Sequence, residues 1–193
     1  MDNTGSFEIF PATSDRWSDI ETLFGPRGAC GGCWCMWWRL TRAQFEEQKG
    51  DGNHHSLHDL ITNGSTPGLL AYTDGHPVGW CAVAPRSEYS ALSRSRILKP
   101  VDEQPIWSIV CFFIARPARR KGLTLLLLQA AIQYARKNGA TIVEGYPVEP
   151  KKEKMPDVFA FTGVRSAFDK AGFIEVARRS ETRPIMRCYI DPQ

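Results

Sequence analysis

The sequence predicts an α/β fold of one domain, in which a mixed central sheet carries helices on both faces. Residues 106–114 are apolar at almost every position, which is typical of a central strand that is covered on both sides. A long helix and a further strand, 140–146, follow, so these two strands should be parallel through a right-handed crossover. A hairpin before this unit and two strands after it, 174–178 and 184–190, predict antiparallel strands on either side.

The N-terminal region, 7–64, is predicted to be mostly helical. A short strand at 7–10 precedes a helix that Thr13 or Ser14 can cap. Thr41 and Gln44 have the spacing of a capping box, and Ser56 is the expected cap of one more helix. The sheet is then expected over 68–190, beginning with the hairpin whose turn contains Asp74 and Gly75.

Composition limits the classes of function. The chain has 193 residues, of which 42% are hydrophobic and 23% charged, which fits one domain spanning 1–193. A net charge of +3 is too mild to argue for nucleic-acid binding. No run of eighteen apolar residues and no signal-peptide pattern is present, so we expect no membrane partner and a cytoplasmic location. The six cysteines are then expected to be reduced, with those of the strands, Cys81, Cys111 and Cys188, as small core residues.

A basic glycine turn joins the central strand to the long helix, 125–137. The turn contains Arg116, Arg119, Arg120, Lys121 and Gly122. The first backbone N–H groups of a helix lack partners within it, its dipole is positive at that end, and glycine allows close approach. The sequence therefore predicts a phosphate-binding site at this turn.

Two motifs resemble the GNAT superfamily of acyl-CoA-dependent N-acetyltransferases. The run from Arg119 to Thr124 is similar to the family signature Q/R-x-x-G-x-G/A, in which Arg119 and Gly122 match and Thr124 replaces the final small residue. The run from Phe168 to Phe173 is similar to the family element Y-E-K-x-G-F, but Phe168 stands where the family usually has a tyrosine that protonates the leaving thiolate. The resemblance covers roughly residues 68–178 and implies a cleft where the two parallel strands splay apart.

The resemblance also implies a co-substrate and its contacts. Acetyl-CoA is expected to bind without a metal, with its phosphates on the backbone amides of the turn. A main-chain N–H around Cys111, Phe112 or Phe113 would polarise the thioester carbonyl. The helices of 7–64 would form the acceptor side of the site. The expected cofactor-binding residues are Phe112, Phe113, Ile114, Arg119, Arg120, Lys121, Gly122, Leu123, Thr124 and Phe168.

Acetyl transfer to an ammonium group needs a base and a proton donor. Glu144 is the first candidate base because a carboxylate in a buried strand is costly unless it is paired or used. Glu149 is the second candidate, and Tyr146 is the only nearby phenol that could act as the acid. The structural alternatives are a buried ion pair for Glu144, a surface charge for Glu149 and a half-buried strand aromatic for Tyr146.

Three tryptophans, Trp34, Trp37 and Trp38, fit either the core or the wall of an acceptor pocket. The same segment contains Cys30, Cys33 and Cys35, whose close spacing also permits a metal or redox site. A fourth ligand is not nearby, although His54, His55 and His58 lie downstream at a non-standard distance, so packing and pocket lining are the favoured roles.

The sequence therefore predicts an N-acetyltransferase whose acceptor, a primary amine of a small molecule or a peptide, attacks acetyl-CoA directly in a ternary complex. A thiol as the acyl-accepting nucleophile lacks an activating histidine. A non-catalytic acyl-CoA-binding or regulatory protein is one alternative, and a cysteine-dependent metal or redox module is another. The protein is expected to be a monomer or a homodimer, with the final strand available to pair across a dimer edge.

Overall fold

The computed structural model describes residues 6–150 and 160–190, and these contain one mixed sheet of seven strands. The spatial order is β1-β2-β3-β4-β5-β7-β6, and every neighbouring pair is antiparallel except β4 and β5. This arrangement confirms the predicted fold class. The strands are β1 Glu8–Pro11, β2 Gly68–Thr73, β3 His76–Pro85, β4 Trp107–Ile114, β5 Ile142–Gly145, β6 Ile174–Arg178 and β7 Pro184–Tyr189.

Helices cover both faces of the sheet, which the continuous apolar sequence of β4 requires. One face packs around Ile20, Phe24 and Trp80, and the other packs around Leu123 and Leu127. Alternate strand residues point to opposite faces, so both sides of β4 are buried. The helices of the described residues are α1 Trp17–Phe24, α2 Arg42–Glu47, α3 Asp51–Thr62, α4 Ser90–Arg94, α5 Leu123–Lys137 and α6 Arg165–Lys170.

The capping predictions were right for α2 and wrong for α3, and also wrong for α1, which begins at Trp17 after Arg16 and has no side-chain cap. Thr41 and Gln44 form the capping box of α2. Helix α3, however, begins at Asp51 after Gly50, one turn or more before the expected cap at Ser56. Its first turn is held by a tertiary contact, because the buried Asn53 donates its side-chain N–H to the carbonyl of Gly32 at 3.0 Å. A long-range contact of this kind leaves no signal in the neighbouring sequence that would indicate where the helix begins.

The expectation that the final strand could pair across a dimer edge was wrong. Strand β7 lies inside the sheet, where it pairs with β5 on one side and with β6 on the other. Both rows of its backbone groups are therefore used. The two edges of the described sheet are β1 and β6.

The parallel pair β4–β5 is short, and its two strands then part. Pairing runs only from Trp107 to Ile109 on β4 and from Val143 to Gly145 on β5. Beyond this point β4 continues to Ile114 without β5 beside it, and a bulge opposite Ala82 and Val83 shifts its register with β3. The strands thus splay as the sequence analysis expected, and the gap opens one side of β4.

Among the described residues, no helix has both the length and the apolar character needed to cross a membrane.

The gap between these strands is closed at its base by the ring of Phe168. A Cβ built on Gly145 would lie 2.1 Å from this ring, so only glycine fits at that position of β5. We expect Gly145→Ala to lower the free energy of unfolding by about 1–3 kcal/mol through overpacking, measured by chemical denaturation.

A Phe168→Leu background supplies the matched control for this prediction. The smaller side chain removes the clash, so the added methyl group should cost less there than in the native protein. Equal costs in the two backgrounds would show that the ring is not what excludes a Cβ.

Candidate active site

The basic glycine turn lies where the sequence analysis placed it, between β4 and the start of α5. Gly122 precedes the helix with a left-handed φ of +77°, which favours glycine. Arg119 donates its side-chain Nε–H to the carbonyl of Ile114 at 2.9 Å, and so ties the turn to the end of β4. Lys121 is exposed, whereas Leu123 points into the core. The first turn of α5, whose first amides have no partner within the helix, therefore lies directly after Arg119 and Arg120.

A cavity of about 760 Å³ begins at this turn and runs along the free side of β4. Its volume is within the range of ordinary small-molecule sites. From the turn, Arg119, Arg120 and Thr124 reach it, and the loop that follows residue 159 contributes Phe161. The sequence-predicted residues that it brings together are Trp37, Trp38, Phe112, Phe113, Ile114, Arg119, Arg120 and Thr124.

The aromatic segment divides between the core and the cavity. Trp34 is 8% exposed and packs against Trp17, Phe24 and His54, so its ring belongs to the core. Trp37 and Trp38 line the cavity instead, and Trp37 is 44% exposed. The wall at this end is completed by Phe45, which meets the Trp37 ring edge-on at 5.0 Å.

Four thiols line the same cavity, and the sequence reasoning had assigned one of them elsewhere. Cys30, Cys33 and Cys35 come from the loop after α1, and Cys111 comes from β4. Cys111 was expected to be a core residue, and it does pack against the core cluster that contains Phe24 and Trp80, but it is only half-buried and also lines the cavity. Nothing in the local sequence could place it there. All six cysteines of the chain lie within the described residues and none forms a disulfide.

Two of these thiols have contacts that shift their pKa in opposite directions. The Sγ atom of Cys35 accepts a hydrogen bond from the indole N–H of Trp80 at 3.2 Å. The neighbouring Cys111 thiol is the main reason why the pKa of Cys35 lies below the ordinary thiol value. The neighbouring Cys35 sulfur and burial raise the pKa of Cys111. Burial raises the pKa of Cys33 to about 12.

Glu144 lies in a buried ionic cluster and not in the cavity. Its carboxylate is 0% exposed and accepts from Arg86 at 3.1 Å, from Arg187 at 2.7 Å and from the Tyr146 hydroxyl at 2.7 Å. Arg187 in turn holds Asp102 through two hydrogen bonds of 2.6 and 3.1 Å. This geometry matches the structural alternative, the buried ion pair, and leaves the carboxylate no free side for an amine.

Tyr146 belongs to the same cluster. It is 0% exposed, contacts Arg86, and shares a 2.9 Å hydrogen bond with the Ser108 hydroxyl of β4. Burial, followed by the charge of Glu144, raises the pKa of its phenol. The phenol is thus held away from the cavity with its hydrogen bonds already made.

The other two predicted residues also lie off the cavity wall. Glu149 is part of a surface cluster with Arg178 at 2.5 Å and Arg165 at 3.2 Å, and hydrogen bonds from Arg178 lower its pKa. Phe168 is fully buried against Phe112 and Phe173, so it supports the strand below the cavity.

The backbone amide of Phe112 faces the gap between the strands, as an oxyanion donor should, but it already donates to the carbonyl of Phe161 at 2.6 Å. A thioester carbonyl would therefore have to replace this contact.

In the part of the chain that the structure describes, no group of three or more His, Cys, Asp or Glu side chains is arranged to bind a metal ion. The cysteine run thus has no geometric support as a metal site among these residues.

Comparison with protein-family models matches residues 34–152 to the acetyltransferase (GNAT) family. The chain belongs to this family. The match includes β4, the basic turn, α5 and the cavity-lining segment from Trp37 onward. Sequence comparison with curated proteins finds no significant match.

Solved structures of acetyltransferases, one of them described as a GNAT family member, share the fold. A GNAT acetyltransferase from Streptococcus pneumoniae is 15% identical, with a TM-score of 0.55, and the alignment covers 96% of this chain and 100% of that one. The PaiA N-acetyltransferase from Thermoplasma acidophilum, solved in complex with coenzyme A, is 14% identical with a TM-score of 0.54 over 95% and 99% of the two chains. YncA from Salmonella typhimurium, solved with its cofactor acetyl-CoA, is 13% identical with a TM-score of 0.54 over 97% and 95%.

The buried position of Glu144 generates a stability prediction. Glu144→Gln leaves two arginines without their shared anion, so we expect the free energy of unfolding to fall by about 3–5 kcal/mol, measured by chemical denaturation.

Glu149→Gln is the matched control, because it makes the same change at an ion pair that water screens. It should leave the free energy of unfolding nearly unchanged. A Glu144→Gln protein of native stability that has lost all activity would contradict the structural role and restore Glu144 as a candidate base.

Proposed function

We propose that the protein transfers an acetyl group from acetyl-CoA to a primary amine. The observation that carries the proposal is one cavity whose wall includes both the cationic turn before α5 and a group of aromatic side chains. Membership in the acetyltransferase family supports acyl transfer as the reaction class.

The cationic end suits the phosphates of coenzyme A. Arg119 and Arg120 reach the cavity beside the first turn of α5, where backbone N–H groups have no helical partner. Arg120 adopts a left-handed φ of +61°, which is uncommon for a residue with a side chain. The free side of β4 would then guide the pantetheine arm toward Cys111.

The aromatic end suits the acceptor. Trp37, Trp38 and Phe45 present flat apolar surfaces, and Glu46 and Lys49 line the cavity beside them. An ammonium group is attracted both by the carboxylate and by the faces of aromatic rings. We therefore propose a primary amine on a partly apolar small molecule or peptide as the acceptor.

The transfer is proposed to occur by direct attack in a ternary complex. A cavity that holds the phosphate turn and the aromatic wall together can bind both substrates at once and align the amine with the thioester. The proposed cofactor contacts are Phe112, Phe113, Ile114, Arg119 to Gly122 and Thr124, and the proposed acceptor contacts are Trp37 and Trp38. Trp34, Leu123 and Phe168 are proposed to support these residues from the core.

The burial of Phe168 favours one alternative, a protein that binds acyl-CoA without catalysis. Phe168 has no hydroxyl, and its ring is closed in against Gly145, so a proton donor cannot act from this position. Binding of acetyl-CoA without turnover on a broad panel of primary amines would favour that alternative.

Reversal of charge at the turn tests the proposed cofactor site. We expect Arg120→Glu to weaken acetyl-CoA binding at least ~10-fold, equivalent to about 1.4 kcal/mol, because a carboxylate would face the phosphates. Isothermal titration calorimetry measures this, and native binding should weaken as salt rises.

Lys137→Glu supplies the control, since it makes the same charge change at the far end of α5. It should bind acetyl-CoA like the native protein. Equal affinity of the Arg120→Glu and native proteins would place the phosphates elsewhere.

A further inference from the structure

Two side chains of opposite charge line the same cavity as its aromatic wall, which is formed by Trp37, Trp38 and Phe45. Glu46 follows Phe45 on helix α2, and Lys49 comes three residues later, just past the end of that helix. The carboxylate and the ammonium group are 3.9 Å apart, and both side chains are half-exposed. The surface that we assign to the acceptor thus carries one negative and one positive charge.

Glu46 and Lys49 are not committed to partners in the way that other charged groups of the protein are. A separation of 3.9 Å is too long for a hydrogen bond, and neither side chain makes one within the described residues. Glu144, by contrast, accepts three hydrogen bonds in the buried cluster, and Glu149 is bound by two arginines. Glu46 and Lys49 therefore keep their hydrogen-bonding capacity for a ligand.

A glycine turn holds the base of the Lys49 side chain beside the cavity. A Cβ built on Gly32 would lie 3.3 Å from Cγ of Lys49 and 2.7 Å from the backbone nitrogen of Gly50, so the two segments are in close contact. The carbonyl of Gly32 also accepts the backbone N–H of Gly50 and the side-chain N–H of Asn53, each at 3.0 Å. The backbone around Lys49 is therefore fixed, while its charged end stays exposed.

We propose that the acceptor is a free α-amino acid with a large apolar side chain. Its ammonium group would bind Glu46, its carboxylate would bind Lys49, and its side chain would lie on the aromatic wall. This inference rests on the proposed function and names the class of its acceptor. In the transfer, the amino-acid nitrogen bonds to the acetyl carbon and the carbon–sulfur bond of acetyl-CoA breaks. Of the two protons that the nitrogen loses, one goes to the thiolate of coenzyme A and the other to solvent.

Charge complementarity favours this class over a simple amine. An acceptor with only an ammonium group is attracted by Glu46 but repelled by the like charge of Lys49. An acid without an amine can pair with Lys49 but has no nucleophile. An α-amino acid carries its ammonium group and its carboxylate on adjacent carbon atoms, so both ion pairs can form at the same time against two charges 3.9 Å apart.

The aromatic wall suits a large apolar side chain. Trp37 is 44% exposed, and its ring meets the Phe45 ring edge-on at 5.0 Å. The Trp38 ring lies 6.3 Å from that of Phe161, which lines the same cavity. Covering exposed aromatic surface with an apolar side chain is favourable. Phenylalanine, tryptophan and leucine should therefore be better acceptors than alanine.

The remaining charges of the cavity are assigned to the cofactor. Arg119 and Arg120 lie in the turn before α5, where the phosphates are proposed to bind. Lys49 belongs to a different segment, which follows α2. Among the described residues, Glu46 is the one carboxylate that lines the cavity. Changes at Glu46 and Lys49 should therefore act on the acceptor and leave the affinity for acetyl-CoA as it is.

The test compares phenylalanine with phenylalaninamide, which keeps the amine and the side chain but has no negative charge. We expect Lys49→Gln to lower kcat/KM for phenylalanine by about 10-fold, with no loss for phenylalaninamide. Glu46→Gln should lower kcat/KM by a similar factor for both acceptors, because both carry the ammonium group. Each acceptor is measured in every protein, so the different basicity of the two amines cancels.

Glu47→Gln and Lys170→Gln are the matched controls. Glu47 is next to Glu46 on α2 but does not line the cavity, and Lys170 lies at the end of α6. Both variants should behave like native protein with both acceptors. All the substituted side chains are exposed, so the fold should be retained. Isothermal titration calorimetry should give native acetyl-CoA affinity for all four variants.

The outcomes separate the two proposals. Equal effects of Lys49→Gln on the two acceptors would overturn the amino-acid assignment and leave the acetyltransferase proposal standing. Native turnover of phenylalaninamide without turnover of any free amino acid would do the same. Weaker acetyl-CoA binding by Lys49→Gln would assign Lys49 to the cofactor and overturn the inference. Absence of acetyl-CoA binding by native protein, or binding without turnover of any amine, would overturn both.

Discussion

The rest of the structure depends on the short pairing between the parallel strands β4 and β5. A buried ionic cluster holds the two strands together where they pair, and beyond that point they part. They share only three residue pairs, from Trp107 and Val143 to Ile109 and Gly145. The buried carboxylate of Glu144 lies in this short region and is held by Arg86 and Arg187. Because a buried charge is stable only when it is paired and hydrogen-bonded, this cluster fixes β5 against its neighbours. Beyond it, Cys111 to Ile114 of β4 line the cavity.

That arrangement separates the side chains that stabilise the fold from the groups that can bind a ligand. Carboxylate and phenol groups with the strongest internal partners lie in the cluster, where they stabilise the fold. The cavity receives groups that keep capacity for a ligand: helix amides at the turn, aromatic faces and thiols.

The order of the elements and the cofactor end of the cavity could be predicted because their signals are local. An unbroken apolar strand, a glycine turn and a helix start can each be recognised within a few residues. The roles of Glu144 and Cys111 could not, since each depends on what lies across the sheet. Arg187 reaches Glu144 from β7, 43 positions along the chain, and the cavity that Cys111 lines is completed by the loop after α1 and by Phe161. The buried turn of α3 at Asn53 is a third case, fixed by a contact with the loop at Gly32.

The most direct test of the account is a crystal structure of the protein with acetyl-CoA bound. The account predicts that the pyrophosphate lies on the amides at the start of α5 beside Arg120, and that the thioester sulfur lies next to Cys111. It also predicts that the Phe112 amide exchanges the Phe161 carbonyl for a ligand oxygen. A cofactor bound outside the cavity, or one whose pyrophosphate lies away from the start of α5, would contradict it.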